Sequence, residues 1–184
     1  MNLLENRASS LLYMDSTYTT LGSLCELPLN FQGFSLVSLD RTIYTIGGQI
    51  NDGRVQTVFS YSLGADRMVS DVSLALPVGL VDAKTFADAG SIYAIGGINT
   101  DGNLNKMLYR LDPREGQWAS IGVQNSFRGS GSVVAHLSTM YMIGGRNGDI
   151  ASNEMTAVDL RINRSMRKAD MTTRRLDHAS VFID

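Results

Sequence analysis

Apolar residues along this chain fall in short runs broken by glycine, asparagine and aspartate, and no stretch sustains the period of an amphipathic helix. Three of the runs, Ile43-Tyr44-Thr45-Ile46, Ile92-Tyr93-Ala94-Ile95 and Met140-Tyr141-Met142-Ile143, do not alternate with polar residues. Such runs fit strands buried on both faces. Each ends in paired glycines: Gly47-Gly48, Gly96-Gly97 and Gly144-Gly145. Paired glycines suit a strand end packed too closely for a Cβ, followed by an exit turn of positive φ. A polar loop with its own glycine comes next, at Asn51-Asp52-Gly53, Asp101-Gly102-Asn103 and Asn147-Gly148-Asp149, and then a strand over 55–63, 107–111 and 154–160. A bulky residue stands 20 or 21 positions after the second glycine, at Met68, Trp118 and Met166. The pattern predicts an all-β chain of many short strands. Residues 2–12 keep no helical period and are left unassigned or strand-like.

The glycine pairs recur at steps of 49 residues (96 − 47) and 48 residues (144 − 96), so the chain contains an internal repeat. The stretch Leu108-Tyr109-Arg110-Leu111-Asp112-Pro113-Arg114-Glu115-Gly116-Gln117-Trp118 resembles the third strand, Asp-Pro turn and fourth-strand tryptophan of a kelch repeat. Arg128-Gly129-Ser130-Gly131-Ser132-Val133-Val134 resembles the kelch first strand with its leading arginine; Phe31 and Leu80 hold that place before the first two repeats. The chain thus resembles a kelch-repeat β-propeller, in particular the kelch domain of BTB-kelch (kelch-like) proteins.

That resemblance implies one partial propeller over residues 1–184, with blades over 31–77, 78–124 and 125–171. Residues 1–30 would supply strands three and four of a preceding blade, with Tyr18 in place of tryptophan. Residues 172–184 would supply the first strand of a following one. Tyr44, Tyr93, Tyr141, Trp118 and the six paired glycines are then structural. A ring of this length is open, so the chain reads as a fragment, a truncated product or a ring closed by another chain. Unpaired edges and an uncovered blade face predict self-association.

Composition narrows the function. With 43% hydrophobic and 18% charged residues and a formal net charge of −2, the chain is globular, and charge-driven nucleic-acid binding is disfavoured. The single cysteine, Cys25, forms no internal disulfide, and no Cys/His cluster has zinc spacing. Residues 1–30 carry no signal-peptide pattern and no run is long enough to span a membrane, so the expected compartment is the cytoplasm. The sequon Asn163-Arg164-Ser165 is read as chance.

Candidate chemistry is sparse. A galactose-oxidase-type copper site would need histidines and a Cys-linked tyrosine, whereas only His136 and His178 are present, both expected on first strands with satisfied hydrogen bonds. The loop Asn99 to Asn105 alternates oxygen side chains as calcium loops do, but lacks the closing glutamate; an Asn/Asp-stabilised turn explains it. The glycine pairs lack the phosphate-cradle pattern. Six cations between Arg161 and Arg175 read as a solvated outer strand and turn. No cofactor and no metal are expected.

Resemblance to kelch families further implies that the loops joining strands two to three and four to one form a partner-binding end. From the two-to-three loops it points to Gln49, Asn51, Arg54, Asn99, Asp101, Asn103, Arg146, Asn147 and Asp149. The four-to-one loops add Phe127, Arg128, Ser130, Arg174 and Arg175. Arginine, asparagine, serine and an aromatic suit a carboxylate-bearing peptide. Arg128 and Arg146 should emerge at the same end and grip one acidic peptide. The expected function is a non-enzymatic protein-interaction module, similar to the substrate-binding kelch domain of a cullin-type ubiquitin ligase adaptor. An actin- or cytoskeleton-binding kelch protein is the alternative, followed by a sugar-processing enzyme of the sialic-acid-mutarotase kind.

Overall fold

The computed structural model describes residues 10–14, 21–26, 31–51, 53–62, 69–71, 74–147 and 149–183. Among these the chain is all-β, without an α-helix. Three four-stranded antiparallel sheets follow one another along the chain. The first contains Ser35–Leu39, Thr42–Ile46, Val58–Ser62 and Val69–Asp71, and the second Leu80–Asp88, Ser91–Asn99, Met107–Asp112 and Gln117–Val123. The third contains Ser132–His136, Thr139–Ile143, Met155–Asp159 and Arg164–Arg167. Within each sheet the spatial order equals the chain order, as in a propeller blade. Ser10–Met14 and Leu21–Glu26, the latter holding Cys25, form a separate antiparallel pair.

Register makes the three repeats equivalent. Tyr44, Tyr93 and Tyr141 lie mid-strand on second strands, opposite Val37, Phe86 and Val134 of the first. Sheets stack face to face, so side chains on both faces of the middle sheet are buried. Between the first two sheets lie Val37, Tyr44, Ile46 and Val58 against Ala83, Ala94, Tyr109 and Leu111. Between the second and third, Phe86, Tyr93, Ile95 and Leu108 meet Met140, Met142, Val158 and Leu160. Phe86 and Tyr93 stack with centroids 5.0 Å apart, which adds area to that interface. This is why the second strands read as unbroken apolar runs. Trp118 packs against the first of these clusters, and its Nε1 donates to the Leu74 carbonyl at 2.7 Å.

Neighbouring sheets are also joined through backbone. Gly48 N donates to the Leu80 carbonyl at 2.6 Å, and Asp82 N to the Gly33 carbonyl at 2.7 Å. The same pair of bonds recurs two repeats later, as Gly145 N to Arg175 O and Asp177 N to Ser130 O, each at 2.8 Å. Gly33, Asp82, Ser130 and Asp177 all hold a left-handed backbone, with φ of 64, 60, 55 and 50°. The chain after the third sheet therefore starts as the earlier repeats do. No regular strand follows: apart from the Ser152–Arg175 bridge, residues 176–183 pair with no strand among the described residues.

The sequon asparagine has a structural use. Asn163 Oδ1 accepts from Nε2 of the fully buried Gln124 at 2.5 Å, and its amide faces the Ile121 carbonyl at 3.4 Å, tying the third sheet to the second.

The turns between third and fourth strands repeat an Asp-x-Arg clasp. Asp112 accepts from Arg114 N at 3.0 Å and from its guanidinium at 2.9 and 2.7 Å; Asp159 holds Arg161 likewise at 2.9, 3.1 and 2.7 Å. These side-chain hydrogen bonds, with the backbone ones behind them, hold both carboxyls down at about 2. A carboxyl whose pKa is depressed on folding stabilises the fold above its unfolded value, about 3.9. That contribution should be lost as pH falls through the folded value. We expect melting temperature to drop between roughly pH 4 and pH 2, with a shallower drop in D112N/D159N. Equal slopes for the two proteins would remove the clasps as its cause.

Candidate functional site

Second and fourth strands of each sheet run in the same direction, so the chain leaves both at one end. The long two-to-three connections and the four-to-one connections therefore meet there. Contacts confirm the grouping: Arg146 N donates to the Gly129 carbonyl at 2.8 Å, and Arg54 Nη1 reaches the Thr100 carbonyl of the next loop at 3.3 Å.

Between the second and third sheets this end holds a cavity of about 420 Å³. Its wall brings together four of the expected residues, Phe127, Arg128, Arg146 and Arg174, with Lys106 and Arg167. Glu154 is the one carboxylate on the wall, so five cations face one acid in a chain of net charge −2. The backbone explains the convergence. Arg146–Asn147 pairs with Ile150–Ala151 to raise a small hairpin over one side, and Arg128 lies under it beside the Gly129–Arg146 bridge.

The cations are not equivalent. The Arg128 side chain is only 12% exposed; Nη1 meets Glu154 Oε2 at 2.6 Å, Nε donates to Gly144 O at 3.0 Å and Nη2 to Glu154 O at 3.3 Å. Arg167 approaches the other Glu154 oxygen at 3.5 Å and pairs with Asp170 at 2.8 Å. Arg146 is exposed, and its side chain, like those of Lys106 and Arg174, has no partner among the described residues. Ser126, also on the wall, has a buried Oγ with no hydrogen-bond partner.

Several expected site residues bond or pack within the fold. Arg128 was expected to reach out to a peptide, but it is spent on its own sheet. Phe127, 4% exposed, packs where a Cβ on Gly96 would stand 2.3 Å from its ring. Ser130 supplies the left-handed junction, and Gln49 pairs with Gln32 and Arg54. Asn99 Oδ1 accepts from Asp101 N at 3.0 Å and Asn103 N at 2.9 Å, the Asn-stabilised turn read from the sequence. Arg54 Nε is buried without a partner. Asn51, Asp101, Asn103, Asp149, Arg174 and Arg175 are exposed at this end, and the Asn147 side chain lies outside the described residues.

Of the two histidines, His136 stands on a first strand as expected and His178 does not. His136 ends the first strand of the third sheet and stacks on Phe182 at 3.8 Å, while His178 lies outside any strand and has both ring nitrogens buried without partners. Missing from the sequence reading were Lys106, Ser126, Glu154 and Arg167. Lys106 and Glu154 close two-to-three connections, Ser126 lies in a four-to-one connection beside Phe127, and Arg167 ends a fourth strand.

No helix among the described residues is long and apolar enough to cross a membrane. No group of three or more His, Cys, Asp or Glu side chains that could hold a metal gathers among them either.

Comparison with known proteins agrees with this architecture. The kelch motif model matches residues 81–122, the second sheet almost from end to end. Kelch-like protein 41b of Danio rerio is 27% identical over 121 residues, which are 65% of this chain and 20% of that protein. The chain therefore spans about a fifth of that relative's length. The solved structure of YjhT covers 88% of this chain with 59% of its own, at 18% identity and a TM-score of 0.75, and shares its fold. The 49- and 48-residue register, the stacked four-stranded sheets and the matched motif have one explanation: the chain has a kelch-type β-propeller fold, and its second sheet is a kelch motif.

Proposed function

We propose that this chain is a non-enzymatic, cytoplasmic protein-interaction module whose loop end takes an acidic peptide of a partner protein, and that it serves a cullin-type ubiquitin ligase adaptor as its substrate-binding part. The carrying observation is the cavity between the second and third sheets, where three cations without partners stand together in a chain that is acidic overall. Guanidinium groups in such a recess bind carboxylates in pairs of parallel hydrogen bonds, which gives orientation as well as affinity. Similarity to Kelch-like protein 41b supports a role in which this end meets another protein.

Proximity labelling in cells should return a set of partner proteins with the wild-type chain, and the set should shrink with the double charge reversal R146E/R174E. Neither side chain holds the fold, so both proteins should melt at the same temperature. A labelled set unchanged by the reversal would defeat this reading. The adaptor role adds that a cullin should appear in the set for the full-length protein but not depend on Arg146.

A further inference from the structure

Glu154 leaves the cavity with a definite charge to neutralise. Its two oxygens lie against Arg128 and Arg167, and among the described residues no ion pair joins it to Lys106, Arg146 or Arg174. Asp170 engages Arg167 from outside the wall. Three positive charges therefore remain against solvent in one recess.

One carboxylate carries a single charge on two oxygens and leaves most of that excess. A phosphate monoester carries roughly −1.5 to −2 at neutral pH on three acceptor oxygens. It can take a guanidinium fork on one edge and further cations on the others. Such clusters of arginine are a recurring means of reading phosphorylated side chains.

From this we infer that the cavity reads a phosphorylated serine or threonine of the partner, with Lys106, Arg146 and Arg174 as the phosphate-binding cations and Arg128–Glu154–Arg167 as the rigid wall behind them. The inference rests on the acidic-partner reading above and narrows it to a dianionic group. Glu154 has a selective role in this arrangement. By occupying Arg128 and Arg167 it removes the two cations that a second acidic residue of the peptide would otherwise use, so that recognition concentrates on the single phosphate.

The test uses the full chain and three degenerate peptide libraries, identical except for a central phosphoserine, glutamate or serine. The phosphoserine library should be retained about tenfold better than the glutamate one, and free O-phosphoserine should compete. Retention should fall about tenfold in each of Lys106→Ala, Arg146→Ala and Arg174→Ala, but not in Arg161→Ala, whose guanidinium is clasped by Asp159 in a turn. Equal retention of the phosphoserine and glutamate libraries would overturn the phosphate inference while leaving the acidic-partner reading intact. Retention of phosphoserine that survives all three loop variants would place its binding elsewhere and overturn it too. Retention of none of the libraries would also overturn it, and the labelling experiment then decides the broader reading by itself.

Discussion

Gly47→Ala should destabilise the fold by about 3–4 kcal/mol, among the larger effects a single methyl can have. A Cβ at this position would stand 2.4 Å from the Leu80 carbonyl oxygen, and φ is +68°. The neighbour is backbone, so no side chain can swing aside. The same carbonyl accepts from Gly48 N at 2.6 Å, so any retreat of Leu80 also loosens the bond that joins the first sheet to the second. Leu80 is itself fully buried in the core between those sheets, which couples the shift to packing. Thermal or urea denaturation of the purified variant checks this. Gly102→Ala is the control: it has φ +82° but open space around it, so it should cost only the backbone strain, about 1 kcal/mol. Equal losses for the two would show that close approach at the junction contributes nothing.

Arg128→Ala is expected to lower stability by about 2–3 kcal/mol, whereas Arg146→Ala should leave stability unchanged and weaken partner binding about tenfold. Both line one cavity, but only Arg128 is enclosed, with its guanidinium satisfying Gly144 O, Glu154 O and the Glu154 carboxylate. Removing it strips two carbonyls and a carboxylate of charged donors at the foot of the third repeat's glycine pair. Arg128→Lys should recover little, because an ammonium cannot bridge Gly144 and Glu154 as a planar fork does. Calorimetric melting of the three variants checks the first half, and titration with a labelled partner the second. An Arg128→Ala protein as stable as wild type would contradict the structural role assigned to it.

Much of the fold was legible because burial on both faces leaves a mark that does not depend on context. The three Tyr-x-Ile-Gly-Gly runs fell on equivalent second strands, and their glycines carry the positive φ expected of them, from 61° to 98°. The Asp-Pro turn and the Asn99 turn were readable for a related reason: each bonds within a few residues, so the chain holds both partners in view. Hairpin turns were less legible. Leu137-Ser138 turns with φ of 47 and 58° although neither residue favours it, because the ladder from Ser132 to Thr139 imposes the geometry.

Position in a repeat settled which residues stand at the loop end, and there the sequence reached its limit. It could place Arg128 and Arg146 together, since both follow from strand direction. It could not tell that one faces inward to Glu154 and the other outward, because that depends on a partner 26 residues away along the chain. Strand direction puts Lys106 and Arg167 at this end too, but that they line one cavity with Arg146 and Arg174 depends on the packing of two sheets. Sequence by itself thus determined the repeat, its strands and the end at which its long loops gather, through burial periodicity and turn chemistry. Tertiary structure alone decided which cations stay free to bind, because free charge is what remains after distant side chains have paired.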